Sequence, residues 1–490
     1  MFRISGSTTS RLSHRVVSSV IWALTLQVTD RLVSLIRVVV LARLLTPESF
    51  GLLGVAMLFM AVIDSFSWPG YTQALIYKKG DIATYLNTTW TILVSRGVAI
   101  GLIMFLGAGY AANFLGAPDA RPVIQALSIN PILNGLFNPG IVYFEKDLQF
   151  HKVFIYKISQ SVTGVIVPVI LALLWRNVWA LVIGMIAGNI VGLALSYIIQ
   201  PYRPRFHFEL KVARELFVYG RWITLSVLIT FLATQLDKGV VSRFLGPVSL
   251  GLYQVGYNIS SAAAGSVGSA VSQVAFPTYS KLQDNYLHLR QTFQKIMEST
   301  ICITLPVTLI LFILADGLVE VVLGPQWLPA IPVVRYIALA SFLGSFIKVC
   351  GALFNGIGRP RLEMQLYLVE IILIAALIYP LTKLMGISGA SLSVLGGMVV
   401  AMPFLFYYLF SHLKLGFRDL MKALYTPLSF GLTIGIVTIL ARLVFNSLTI
   451  QGFVVILLLD LLAYVGINYV FWRKFKTGPI QAMALLATNR

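Results

Sequence analysis

The sequence predicts an all-α polytopic membrane protein of about 14 transmembrane helices, arranged as two six-helix bundles in a parallel internal repeat plus two C-terminal helices. Three observations predict it. Of the 490 residues, 58% are hydrophobic and 11% charged, with a mean hydropathy of +0.85, whereas soluble domains are about 45–50% apolar and about 25% charged. The apolar residues fall in runs of roughly 20, the length that spans a bilayer. A ten-residue motif in the first half also returns in the second. Together these exclude a soluble enzyme, a secreted disulfide scaffold and a disordered chain.

In chain order, the apolar runs place spans near 17–42, 49–72, 88–110, 121–142, 153–175 and 178–200. A second set lies near 215–243, 249–275, 296–315, 332–356, 365–385 and 388–411, with two more near 424–445 and 450–471. The first run carries Asp30, Arg31 and Arg37, which disqualifies it as a cleavable signal. The expected organisation is a tail over 1–15, bundles over 16–205 and 206–412, an added helix pair over 413–472 and a tail over 473–490.

An even number of spans puts both termini on one side, and loop charge says which. With the N-terminus inside, 23 of the 37 Lys and Arg residues fall in cytoplasmic segments, among them Arg11, Lys79, Arg203, Arg290 and Arg359. The outer side holds six: Arg43, Arg121, Arg176, Arg243, Lys383 and Arg442. That asymmetry predicts cytoplasmic N and C termini. It also accounts for the net charge of +19 without nucleic acid as a partner.

The repeat begins with Arg43-Leu44-Leu45-Thr46-Pro47-Glu48-Ser49-Phe50-Gly51-Leu52, which returns as Arg243-Phe244-Leu245-Gly246-Pro247-Val248-Ser249-Leu250-Gly251-Leu252. Trp22 and Trp222, and Gln73 and Gln273, keep the same offset. Further on, Leu115-Gly116 matches Leu323-Gly324, Pro122-Val123 matches Pro332-Val333 and Phe137-Asn138 matches Phe354-Asn355. A unit with an even number of spans re-enters from the same side, so the copies are related by an axis along the membrane normal. For the motif itself a structural role is favoured: Pro ends one helix and starts the next, and Gly51 and Gly251 permit close helix packing.

Eight cations remain inside spans: Arg31, Arg37, Arg96, Lys157, Arg221, Lys238, Arg335 and Lys348. Five acids share the membrane zone: Asp30, Asp64, Asp237, Glu370 and Asp460. A charge at a span centre costs about 2.5–3.5 kcal/mol on insertion scales, so such residues face a partner or a hydrated cavity. Gln27, Asp30, Ser34 and Arg37 form one helical stripe, and Thr230, Thr234 and Asp237 form the matching one. Lys157 and Arg221 sit where they would snorkel to the interface. The excess of cations suits an anion such as a phosphate or diphosphate. Asp30, Asp64, Asp237 and Glu370 are candidates for proton or sodium coupling, or fixed counter-charges.

No phosphate-binding glycine loop, metal-ligand spacing or catalytic set occurs, so neither an enzyme nor a cofactor is expected. Cys302 and Cys350 lie in apolar runs and read as packing residues.

The run Val39-Val40-Leu41-Ala42-Arg43-Leu44-Leu45-Thr46-Pro47-Glu48-Ser49-Phe50-Gly51 resembles the opening signature of bacterial polysaccharide repeat-unit flippases. These belong to the multidrug/oligosaccharidyl-lipid/polysaccharide exporter superfamily. Leu236-Asp237-Lys238-Gly239-Val240-Val241, Ala275-Phe276-Pro277-Thr278-Tyr279 and Leu323-Gly324-Pro325-Gln326-Trp327 are similar to later family segments. The resemblance covers roughly 15–412. It implies a V-shaped pair of bundles in the bacterial cytoplasmic membrane. Such a protein would pass an undecaprenyl-diphosphate-linked oligosaccharide to the outer leaflet by alternating access, for exopolysaccharide or capsule synthesis. A cationic cavity is implied, with Arg31, Arg37, Arg96, Lys238 and Lys348 as candidates. Membrane lipid, a polysaccharide polymerase and chain-length proteins are the implied partners. The rival readings are a cation-coupled multidrug exporter of the same superfamily and a membrane-bound polysaccharide-assembly enzyme.

Overall fold

The computed structural model describes residues 6–67, 75, 82–147, 149–413 and 417–475, with side-chain placement in the first helix for Trp22 and from residue 25 onward. Lys78, Lys79, Lys414, Lys476 and Arg490, with residues 1–5 of the first expected tail and 476–490 of the last, lie outside the described residues; so do the side chains of Arg221 and Trp222. Among the described residues there is no strand.

The first half contains α1 (Gly6–Leu44), α2 (Pro47–Ser67), α3 (Ala83–Phe114), α4 (Arg121–Leu127), α5 (Ile129–Gly135), α6 (Phe150–Trp175) and α7 (Val178–Ile199). The second contains α8 (Leu210–Ser260), α9 (Ser266–Lys281), α10 (Tyr286–Ile313), α11 (Ile331–Gly356), α12 (Pro360–Met385) and α13 (Ile387–Leu413). The added pair is α14 (Phe417–Val444) and α15 (Ile450–Phe475). α1 begins at Gly6, inside the segment expected to be a tail.

Ten helices among the described residues are long and apolar enough to cross a membrane. They coincide with ten of the expected spans, so the count of 14 is not reached on this measure. The runs near 17–42 and 215–243 are helical but carry Asp30, Arg31 and Arg37, or Asp237, Lys238 and Arg243, and the run near 249–275 is divided by a π-helical turn at Ser261–Gly265. The expected span over 121–142 is broken. α4 stops at Leu127, α5 at Gly135, and a 3-10 turn follows over Pro139–Ile141. Pro131 and Pro139 have no N–H to continue the ladder, and Ser128 turns its hydroxyl back to the Gln125 carbonyl at 2.6 Å.

The chain divides into two compact units, one of Met1–Gln235 with Gly246–Gly251, the other of Leu236–Leu245 with Leu252–Arg490. In the first unit, Thr46 caps α2, its hydroxyl accepting from the Ser49 amide at 3.4 Å, and Pro47 occupies the first helical position, where no N–H is needed. At the second copy Gly246 adopts φ +80° ahead of Pro247, kinking α8. The two motif copies then touch reciprocally: Gly51 lies against the Pro247 carbonyl, and Gly251 against that of Pro47. The glycines therefore serve close helix packing, the role the motif suggested.

α6 and α7 form a tight antiparallel pair. A Cβ at Gly188 would come 3.1 Å from the Gln160 carbonyl, and one at Gly184 within 2.6 Å of the Pro168 ring. α12 and α13 pair likewise in the second unit. Both hairpins turn through a positive-φ residue, Arg176 at φ 51° and Gly386 at φ 61°. Ile166, Ile170, Leu173 and Leu174 on α6, and Leu457, Leu458, Leu461 and Leu462 on α15, expose apolar side chains, the surface a lipid-embedded helix requires.

Candidate substrate site

In the first unit, α1 packs along α6, and its polar stripe meets that helix. Asp30 accepts a 2.6 Å hydrogen bond from the Ser161 hydroxyl. Arg37, two stripe positions further along, lies half-buried with Nη1 over Gly164, 3.8 Å from where a Cβ would stand. It makes no hydrogen bond or ion pair with any described residue. Arg31 is exposed on the same helix, with no such partner among the described residues. Beneath the α6 surface runs an amide chain. Gln160 donates to Asn189 at 2.7 Å and Asn189 to the buried Asn130 at 3.0 Å. This chain ties the broken α5 to α6 and α7.

Arg96 is placed otherwise. Its Nε donates to the Ser67 carbonyl at 2.8 Å, and its Nη2 to Asp64 Oδ1 at 2.7 Å. Ser67 closes α2, whose last carbonyls carry the negative end of the helix dipole. Arg96 thus caps α2 and holds it to α3, and Asp64 is its counter-charge. Arg96, offered by the sequence as a cavity cation, is thus engaged with α2 in this structure.

The second unit holds the other sites. Lys238 is buried, with Nζ 3.9 Å from Asp237 Oδ1 and 4.2 Å from the Tyr257 ring centroid. Asp237 also accepts from the Tyr253 hydroxyl at 2.6 Å. Lys238, expected among the cavity cations, thus lies buried beside Asp237, which it neutralises inside the fold. Lys348 on α11 donates to Ser269 Oγ at 2.8 Å and to the Gly265 carbonyl at 3.4 Å. Gly265 ends the π-helical turn Ser261–Gly265 between α8 and α9. Such a turn leaves carbonyls without their helical donors, and Lys348 supplies one. Glu370 on α12 is 5% exposed, within electrostatic range of Lys348 and Tyr257. It forms no hydrogen bond or ion pair with any described residue.

The expected cations thus separate. Arg96, Lys238 and Lys348 fasten elements of their own units, while Arg31 and Arg37 make no hydrogen bond or ion pair with a described residue and Arg37 feels Asp30 at longer range. Composition did not foretell Ser161, the Gln160–Asn189–Asn130 chain or Tyr253. Tyr253 lies 16 residues from Asp237, and only the kink at Gly246 brings it back alongside.

A polysaccharide biosynthesis protein family model matches residues 40–332. The chain belongs to that family. It is 26% identical over 356 residues to the lipopolysaccharide biosynthesis protein WzxC of Escherichia coli K12, covering 72% of each chain. To the succinoglycan biosynthesis transport protein ExoT of Rhizobium meliloti it is 28% identical over 308 residues, 62% of each chain. Its fold is that of the lipid II flippase MurJ in an inward closed conformation, with a TM-score of 0.73 at 15% identity, covering 93% of this chain and 99% of that one. This family member is thus a multi-pass membrane protein of MurJ-like fold.

Proposed function

We propose that this protein is a flippase moving an undecaprenyl-diphosphate-linked oligosaccharide from the cytoplasmic to the outer leaflet for assembly of a surface polysaccharide. The family match over residues 40–332 carries the reading. ExoT, named a transport protein of succinoglycan synthesis, supports it.

The physical task is to keep sugar hydroxyls out of hydrocarbon. Each unpaired hydroxyl moved into an apolar medium costs roughly 2–7 kcal/mol, so an unassisted oligosaccharide faces a barrier of tens of kcal/mol. The bundles over 16–205 and 206–412 rock to open a hydrated path alternately to either side, while the lipid tail stays in the bilayer. Arg37 is the cation we assign to the diphosphate, with Arg31 six residues earlier on α1 as a second charge. A partly shielded guanidinium that makes no hydrogen bond with a described residue suits a charge-assisted, forked bond to phosphate. Glu370 is the acid we assign to proton or sodium exchange, being buried without a fixed cation bonded to it. The membrane is the bacterial cytoplasmic one, with both termini cytoplasmic, as the loop charges favour. The polymerase and chain-length proteins would act on the product. Drug export has the weaker support, because the family and the cited relatives are named for polysaccharides.

Lipid-linked intermediates in a strain deleted for the gene test the proposal. Intact repeat units accumulating on the cytoplasmic leaflet, with loss of the surface polymer, are expected. Repeat units reaching the outer leaflet at the normal rate, with redundant genes removed, would overturn it.

A further inference from the structure

Asp316, Arg335 and Arg442 converge at one end of the second unit, far along the chain from one another. Arg442 on α14 donates through Nη2 to Asp316 Oδ2 and through Nη1 to the Ile313 carbonyl at 2.8 Å. Arg335 on α11 donates through Nε to the Phe312 carbonyl at 3.2 Å. Its Nη2 stands 3.8 Å from Asp316 Oδ1, too far for a hydrogen bond. Asp316 Oδ1 is buried without a hydrogen-bond donor among the described residues. Each guanidinium carries five N–H donors, and both side chains are 37% exposed. Two cations against one acid leave a surplus positive charge, most of whose donors make no hydrogen bond with a described residue.

The repeated fold does without this cluster. By the Leu115/Leu323 and Pro122/Pro332 correspondences, Asp316 matches Ala108 and Arg335 matches Gln125, both uncharged. Arg442 belongs to the added helix pair. Capping the last carbonyls of α10 explains one hydrogen bond from each arginine, but not two converging forks. The loop-charge asymmetry favours the outer face for this end, since Arg290 and Lys295 lie at the other end of α10.

We propose that Arg335 and Arg442 form a lipid-phosphate subsite at the outer membrane interface. The ligand is a phosphate ester or diphosphate on a lipid, held by the free edges of the two guanidiniums. Asp316 splays the forks and opposes the anion, which keeps the affinity low enough for release. This goes beyond the flippase reading, and it is tested by binding, with no transport step.

The full-length protein would be purified into phosphatidylcholine nanodiscs and titrated with two probes, phosphatidylglycerol and farnesyl diphosphate. Arg335→Gln should weaken binding about tenfold, as expected for loss of a charge-assisted contact, while Asp316→Asn should tighten it severalfold. A cluster that merely braces α14 gives the opposite sign for Asp316→Asn, or no change, because neutralising it loosens the arginines. An effect confined to farnesyl diphosphate identifies a substrate-like diphosphate, one confined to phosphatidylglycerol a bilayer lipid, and an effect on both a general phosphate site. Unchanged binding of both probes by both variants overturns the proposal. Should Arg335→Gln fail to fold, Asp316→Asn decides alone: tighter binding supports the subsite, and equal or weaker binding ends it. A negative result leaves the flippase reading standing.

Discussion

Replacing Arg96 by Gln tests whether that residue serves the ligand or the fold. The guanidinium reaches the Ser67 carbonyl at 2.8 Å and Asp64 Oδ1 at 2.7 Å, with side-chain exposures of 19% for Arg96 and 35% for Asp64. Breaking a fully buried pair costs about 3–5 kcal/mol and an exposed one about 0.2–1 kcal/mol. This pair sits between those limits, and the variant also uncaps α2, so a loss of about 2 kcal/mol is expected. For a folding unit of this size that is about 4–8 °C in thermal midpoint, read by size-exclusion survival of the detergent-solubilised protein after heating. The double variant Arg96→Gln/Asp64→Asn should recover about 1 kcal/mol, because no uncompensated carboxylate remains. Transport per folded molecule should stay near the wild-type value in both. Wild-type stability and abundance combined with lost transport would refute the reasoning and return Arg96 to the substrate path.

Gly51→Ala should cost about 2–4 kcal/mol, because its Cβ would overlap the Pro247 carbonyl, backbone against backbone. Gly265→Ala, with nothing within 4 Å of the added methyl, is the control expected to stay within about 1 kcal/mol under the same heating assay. Arg176→Gly should stabilise by about 0.5–1 kcal/mol by removing a left-handed non-glycine residue at φ 51°. Gly386→Ala at φ 61° should do the reverse, and thermal midpoints of the pair moving in the same direction would contradict the turn assignment.

The fold was largely legible in the sequence because membrane insertion writes it in long apolar runs, and the duplicated turn at Pro47 and Pro247 marked the two halves. The break at 128–140 was not, although Pro131 and Pro139 were visible: hydropathy registers apolarity and ignores a missing N–H. The rarity of intramembrane charge singled out these residues for attention. It could not sort them, because the sorting depends on partners distant in the chain. Lys238 meets Tyr257 through a kink, Lys348 meets a π turn 83 residues away, and Arg96 meets the end of α2. Arg37 lies over Gly164, which has no side chain to bond it, and its nearby acid is Asp30 on its own helix.

Translocation in proteoliposomes tests the central claim most directly. A labelled undecaprenyl-diphosphate-linked oligosaccharide is reconstituted with equal amounts of wild-type protein or Arg37→Ala, and sugar exposure on one leaflet is followed with a membrane-impermeant oxidant. The account predicts that wild-type vesicles expose the inner-leaflet pool over time, while Arg37→Ala vesicles retain it at the protein-free level. A wild-type protein that leaves the inner pool protected under every imposed proton or sodium gradient would contradict the account.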